Sequence, residues 1–137
     1  MLNVKELNKV NEMSKNEFTK WLDENFDWAQ MREIRQGLEK GLDISQYADP
    51  KFDHLQMHEI REGLTEGLDV SKYANPEFEH LQMKKILYGL EDGLDVSKYA
   101  DPKFDSWQME QIARGLEDGL DVSTEKKQNN IKKMMMR

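Results

Sequence analysis

The sequence predicts an all-α fold, a short-repeat α-solenoid of long-helix/short-helix units with capping helices at both ends. Three observations predict it. Phe26, Phe52, Phe78 and Phe104 stand 26 residues apart, and the residues following each are nearly the same; such a period marks a repeat architecture. Within each interval apolar residues recur at helical spacing. Charged residues make up 34% of the 137-residue chain and mean hydropathy is −0.89, which suits stacked units that keep much of their surface in water.

The N-terminal segment, residues 1–25, reads as a helical cap. Val4, Leu7, Val10 and Met13 predict a short amphipathic helix that closes the stack. Ser14-Lys15-Asn16-Glu17 has the form of a capping box and predicts a second helix start. Phe18–Asp23 aligns with Ile44–Asp49, so a degenerate half-repeat precedes the first full one.

Residues 26–123 are four full repeats. Counted from its phenylalanine, every unit has Gln-Met at positions 5–6, Ile at 9, Gly-Leu at 12–13, Gly-Leu-Asp at 16–18 and Ser at 20. Asp49-Pro50, Asn75-Pro76 and Asp101-Pro102 place a capping side chain before proline and predict the start of the long helix. Met57, Ile60 and Leu64 and their equivalents predict its buried face. Trp107 shares position 4 with Leu55 and Leu81 and is expected to line the core. Gly41, Gly67, Gly93 and Gly119 suit a left-handed C-terminal cap, and Asp69 then caps a short second helix over Val70–Ala74. A mid-helix glycine costs about 1 kcal/mol relative to alanine, yet Gly37, Gly63, Gly89 and Gly115 all keep position 12. This predicts that a neighbouring unit's backbone or Tyr ring approaches too closely for a Cβ.

Residues 124–137 lose the Tyr-Ala-Asp-Pro signature and read as a basic cap or tail. Ile131, Met134 and Met135 are near helical spacing there. Five basic side chains against Glu125 give the tail +4, so residues 1–123 carry −11 of the total −7. An acidic body repels nucleic-acid backbone and favours basic surfaces, so no direct nucleic-acid ligand is expected. Cys is absent, which excludes disulfides, thiolate nucleophiles and Cys-based zinc sites and suits a reducing cytoplasm. The N-terminus lacks the charged-then-apolar run of a signal peptide, and no apolar stretch is long enough to span a membrane.

In a repeat scaffold the shared residues stack the units, so binding belongs to what varies. Positions 3, 7, 10, 11 and 14 vary most and read as one face opposite the Met-Ile-Leu stripe. Trp28, Arg32, Arg35, His58, Arg61, Lys84, Leu87, Tyr88 and Arg114 are the expected partner-binding residues on it, because aromatic and Arg side chains are typical interface anchors.

Catalytic and metal chemistry are not expected. His54 and His58 stand one helical turn apart, which can chelate zinc, but no metalloprotease Glu follows His54 and no Cys is available; an ordinary surface pair is the simpler reading. Asp43, Asp69, Asp95 and Asp121 recur in every unit, as caps do and catalytic pairs do not. Ser45, Ser71, Ser97 and Ser123 follow the same logic. No phosphate loop or calcium loop is present, so the reading is a non-enzyme without cofactors.

The unit Phe-Asp-x-x-Gln-Met-x-x-Ile-Arg-x-Gly-Leu-Glu-x-Gly-Leu-Asp-Val-Ser-x-Tyr-Ala-Asp-Pro-Lys resembles a short tandem repeat of proteins carried by phages and conjugative elements of Gram-positive bacteria. The likeness covers residues 26–123 and implies an origin more than an activity. The third unit departs from it at Leu87-Tyr88, where the repeat has charged or polar residues. Two binding functions are expected. One is a protein-binding module acting through the variable face. The alternative is an acidic inhibitor that occupies the basic groove of a host nucleic-acid enzyme, in the manner of anti-CRISPR and anti-restriction proteins. Exposed end units also make a weak homodimer compatible with the sequence.

Overall fold

In a computed structural model the chain divides into two compact units, Met1–Gly67 and Leu68–Arg137; residues 14–119 are described. The amphipathic segment through Val4–Met13, the caps at Asp121 and Ser123, and the basic segment 124–137 lie outside them. The described residues are all-helical, with five α-helices and no strand. No described helix is long and apolar enough to cross a membrane.

The first unit contains α1 (Lys15–Asn25), α2 (Trp28–Glu39), a 3-10 turn at Ile44–Gln46, and α3 (His54–Thr65). Ser14 caps α1, its hydroxyl accepting from the Glu17 amide. The half-repeat expected at Phe18–Asp23 is drawn into this continuous α-helix. Helix α2 packs against both α1 and α3. The second unit repeats the plan, with 3-10 turns at Val70–Lys72 and Val96–Lys98 around α4 (His80–Glu91), and α5 (Ser106–Glu117) packed on α4.

The long helices start four residues later than Asp-Pro suggests. Phe52 donates its amide to the Asp49 carbonyl at 3.0 Å, and the Asp49 carboxylate accepts from the Lys51 amide at 2.9 Å. Asp49-Pro50 therefore makes a β-turn with proline at its second position, a role Asp-Pro fills as readily as a helix start. The N-caps are Asp27, Asp53, Glu79 and Asp105; the three aspartates form reciprocal capping boxes with the glutamine of position 5, and Glu79 donates its amide to the Gln82 side chain. That glutamine has a second role. Gln30 Nε2 donates to the Phe52 carbonyl at 2.6 Å, and Gln82 Nε2 to the Phe104 carbonyl at 2.6 Å, tying one helix start to the turn before the next.

At the other end the glycine caps are as the sequence predicts. Gly41 and Gly93 have φ of 69° and 72°, and Leu42 and Leu94 donate their amides to the Gly37 and Gly89 carbonyls at 2.9 Å, the Schellman arrangement. The short second element is a single 3-10 turn rather than an α-helix. Its caps are Asp43, Asp69 and Asp95, each accepting the amide two residues on. The Ser71 and Ser97 hydroxyls, donating to Asp69 and Asp95, hold those carboxyls below the usual carboxylate range.

Position 12 explains itself in the packing. A Cβ on Gly37 would overlap the Tyr47 hydroxyl, and one on Gly89 the Tyr99 hydroxyl. The close neighbour is thus the unit's own tyrosine. Tyr47 donates to the Glu33 carbonyl at 2.7 Å and Tyr99 to the Lys85 carbonyl at 3.3 Å. Burial pushes Tyr99 up to about 12, with the Asp92 and Glu117 charges adding to it; burial raises Tyr47 likewise, partly offset by Arg61. The folded chain keeps a proton on Tyr99 that the unfolded chain releases, so this contribution is complete below about pH 10 and is lost as pH rises through about 12. The urea midpoint is therefore expected to fall more steeply between pH 10 and 12 in the wild type than in Tyr99→Phe. Equal slopes would remove Tyr99 from the alkaline transition.

Met57, Ile60, Met83, Ile86, Met109 and Ile112 are buried, as their spacing predicts. Position 13 is not: Leu64, Leu90 and Leu116 are half-buried and Leu38 is exposed, because the glycine–tyrosine contact occupies the end of the buried stripe. Trp107 is also displaced from the expected core. It is 47% exposed, and Leu55 and Leu81 are exposed with it. With the helix starting at position 3, position 4 falls in the first turn, well away from the face formed by positions 5, 6, 9 and 12.

Candidate protein-binding surface

The variable face is not uniformly outward. Positions 3, 7, 11 and 14 point farthest from the buried stripe, whereas position 10 lies at its flank. Three expected partner-binding residues occupy that flank; Arg35 is exposed there, while Leu87 and Arg61 are buried and are corrected accordingly. Leu87 is only 4% exposed. Arg61 is buried against α2, where its Nε donates to Glu33 Oε2 at 2.7 Å and the paired side chains are 8% and 11% exposed.

His58 joins the same cluster. Its Nδ1 accepts from Arg61 Nη2 at 3.1 Å and lies 3.6 Å from Glu33 Oε1. Glu62 stands 3.9 Å from His58 Nε2 and 3.8 Å from Arg61 Nη1. The His58 ring therefore borders this cluster, with its side chain 44% exposed. His54 is exposed and takes no part in it. No group of three or more His, Asp or Glu side chains placed to hold a metal ion occurs among the described residues.

The remaining residues other than Lys84 divide between two clefts, one in each unit. In the first, Trp28, Arg32 and Arg35 line a cleft of about 450 Å³ together with Asp23, Met31, Gln36 and Glu39. Trp28 is the first residue of α2, held there by the Asp27–Gln30 capping box, and is 72% exposed. Arg32 and Arg35 follow at one-turn spacing on the same face. Neither is ion-paired among the described residues. Arg35 also borders a smaller cleft of about 230 Å³ with Phe18 and Leu38, whose apolar character sequence reasoning did not find.

In the second unit, Tyr88 and Arg114 line a cleft of about 220 Å³ with Lys85, Glu110 and Glu117. Tyr88 is 46% exposed and carries Lys85 Nζ 6.0 Å from its ring centre. Glu110 lies 3.7 Å from Lys85 and 3.5 Å from Arg114, so the cations here are already neutralised. Lys84 is half-buried and does not line this cleft. Glu33 and Glu110 were both missed as partners of the expected cations. The available signal was opposite charge one repeat apart, at offsets of 28 residues from Glu33 to Arg61 and 25 from Lys85 to Glu110. No family model matches this chain, and no curated protein or solved structure matches it.

Proposed function

We propose that this chain is a non-enzymatic protein-binding module, its four repeats stacked as a short α-solenoid of phage or mobile-element origin. The observation that carries this reading is Trp28, a large aromatic held 72% exposed at a rigid helix start beside two unpaired arginines. An exposed aromatic costs solvation without returning core packing, and Trp and Arg are the side chains that dominate binding energy at protein interfaces. Among the described residues, Asp43, Asp69 and Asp95 cap 3-10 turns and bind the Ser45, Ser71 and Ser97 amides, a structural role that accounts for their repetition.

Affinity capture from a nuclease-treated host lysate, compared between wild type and Trp28→Ala, tests the reading. A discrete retained protein is expected, with affinity lowered by about 2 kcal/mol or more, roughly 30-fold, in the variant. Melting should be unchanged. Retention that is indifferent to Trp28, Arg32 and Tyr88 substitutions would end the proposal.

A second reading has its own support. Helix α4 ends in Glu91 and Asp92, and α5 in Glu117 and Asp118, where carboxylates oppose the negative end of the helix dipole. Carboxylates kept against local stability suit an acidic inhibitor seated in a host enzyme's basic groove. Such binding weakens steeply with salt, whereas a Trp-anchored contact does not.

A further inference from the structure

We propose that the occupant of the Trp28 cleft is an acidic protein segment, with one apolar side chain against the Trp28 ring and flanking carboxylates held by Arg32 and Arg35. This rests on the protein-binding reading and adds the chemistry of the partner.

The arginines carry the argument. The other two described arginines find carboxylates, Arg61 with Glu33 and Arg114 with Glu110. Arg32 and Arg35 do not, although Asp23 and Glu39 line the same cleft. Glu39 is even placed one turn after Arg35, the spacing at which Arg114 and Glu110 do pair. Two guanidinium groups therefore present their donors to the cleft rather than to the protein. Guanidinium binds carboxylate through two parallel hydrogen bonds, and Trp28 supplies an apolar face within the same cleft. A carboxylate-apolar-carboxylate segment complements all three groups.

Phosphate shares the affinity for guanidinium, and a base can stack on indole. The acidic body argues against the nucleic acid. Residues 1–123 carry −11, which repels the continuous charge of a nucleic-acid backbone, and two arginines neutralise too few phosphates to offset it. A short acidic segment brings only two or three charges and meets both arginines.

The test uses the full chain and fluorescence polarisation. The probes are fluorescein-labelled dodecapeptides in which Glu flanks a single Leu or Phe, with matched sets carrying Lys or Ser in place of Glu, and a labelled oligothymidine. The acidic set is expected to bind, and Arg32→Glu with Arg35→Glu to weaken it roughly 10- to 100-fold. The same double variant should gain affinity for the Lys set. Trp28→Phe should retain most binding and Trp28→Ala should lose it, with circular-dichroism melts unchanged. Ser and Glu sets that bind equally, both through Trp28, would overturn the acidic assignment and leave the protein-binding reading standing. No peptide binding, with Trp28-dependent lysate capture intact, overturns it in the same way. Saturating oligothymidine binding, or self-association abolished by Trp28→Ala, would assign the cleft to nucleic acid or to a second copy and overturn it outright.

Discussion

Arg61→Ala is expected to destabilise the protein by about 3–5 kcal/mol and to lower its melting temperature by roughly 10 °C or more. The cost comes from what stays behind. Glu33 is 11% exposed and loses the 2.7 Å bond from Arg61 Nε; its other neighbour, His58, approaches only to 3.6 Å. A buried carboxylate without its cation must be desolvated, protonated or exposed, and each alternative is unfavourable. Removing both charges is a different experiment. Glu33→Met with Arg61→Leu is expected within about 1 kcal/mol of the wild type, because a well-packed apolar pair replaces an ion pair at little net cost. Leu87, buried at the equivalent position of the third repeat, shows that leucine is accommodated there. Urea or thermal unfolding of the three proteins decides it, and an Arg61→Ala cost below about 1 kcal/mol would mean that water screens the pair.

Gly37→Ala should destabilise by about 1–3 kcal/mol net, against the usual trend. In an ordinary helix interior the same change gains about 1 kcal/mol. Here the added methyl would overlap Tyr47 Oη and stand 3.1 Å from Ile44 Cγ2. The tyrosine must move, which costs overpacking strain of about 1–3 kcal/mol and its hydrogen bond to the Glu33 carbonyl, about 1 kcal/mol more. Tyr47→Phe removes the atom in conflict. In a double-mutant cycle it should recover much of the loss, with a coupling above about 1 kcal/mol. Gly89→Ala with Tyr99→Phe should behave the same way. A stabilising Gly37→Ala would show that the tyrosine ring yields freely.

The elements that sequence reasoning placed well are those whose causes lie within a few residues. Gly41, Gly67 and Gly93 end their helices through a backbone conformation that glycine alone adopts easily. Position 12 was legible for the opposite reason, since a glycine retained where it is unfavourable has to be explained by contact. The helix starts went wrong because Asp-Pro serves both as cap-plus-first-residue and as the opening of a β-turn. The Asp-x-x-Gln box beginning at Asp27 and Asp53 was the deciding signal, and it stood four residues farther on. The binding face was only partly legible. Trp28, Arg32 and Tyr88 are outward by helical geometry alone, whereas Arg35 shares position 10 with the buried Arg61 and Leu87. Arg61 was not readable as buried, because its environment is set by Glu33, a residue 28 positions earlier. Pairing over that distance follows from how α2 meets α3, and local periodicity does not contain it.

The Glu33–Arg61 pair also bears on how many copies the gene can carry. Near-identical repeats misalign during recombination, and the commonest products differ by one whole unit. Loss of residues 53–78 would keep every cap, glycine and tyrosine in register, yet bring Leu87 to the position Arg61 had occupied. Glu33 would then be buried with no cation facing it. Repeats that look interchangeable in sequence are thus not all equally dispensable, and a chain that loses the second of them begins with a charge it cannot satisfy.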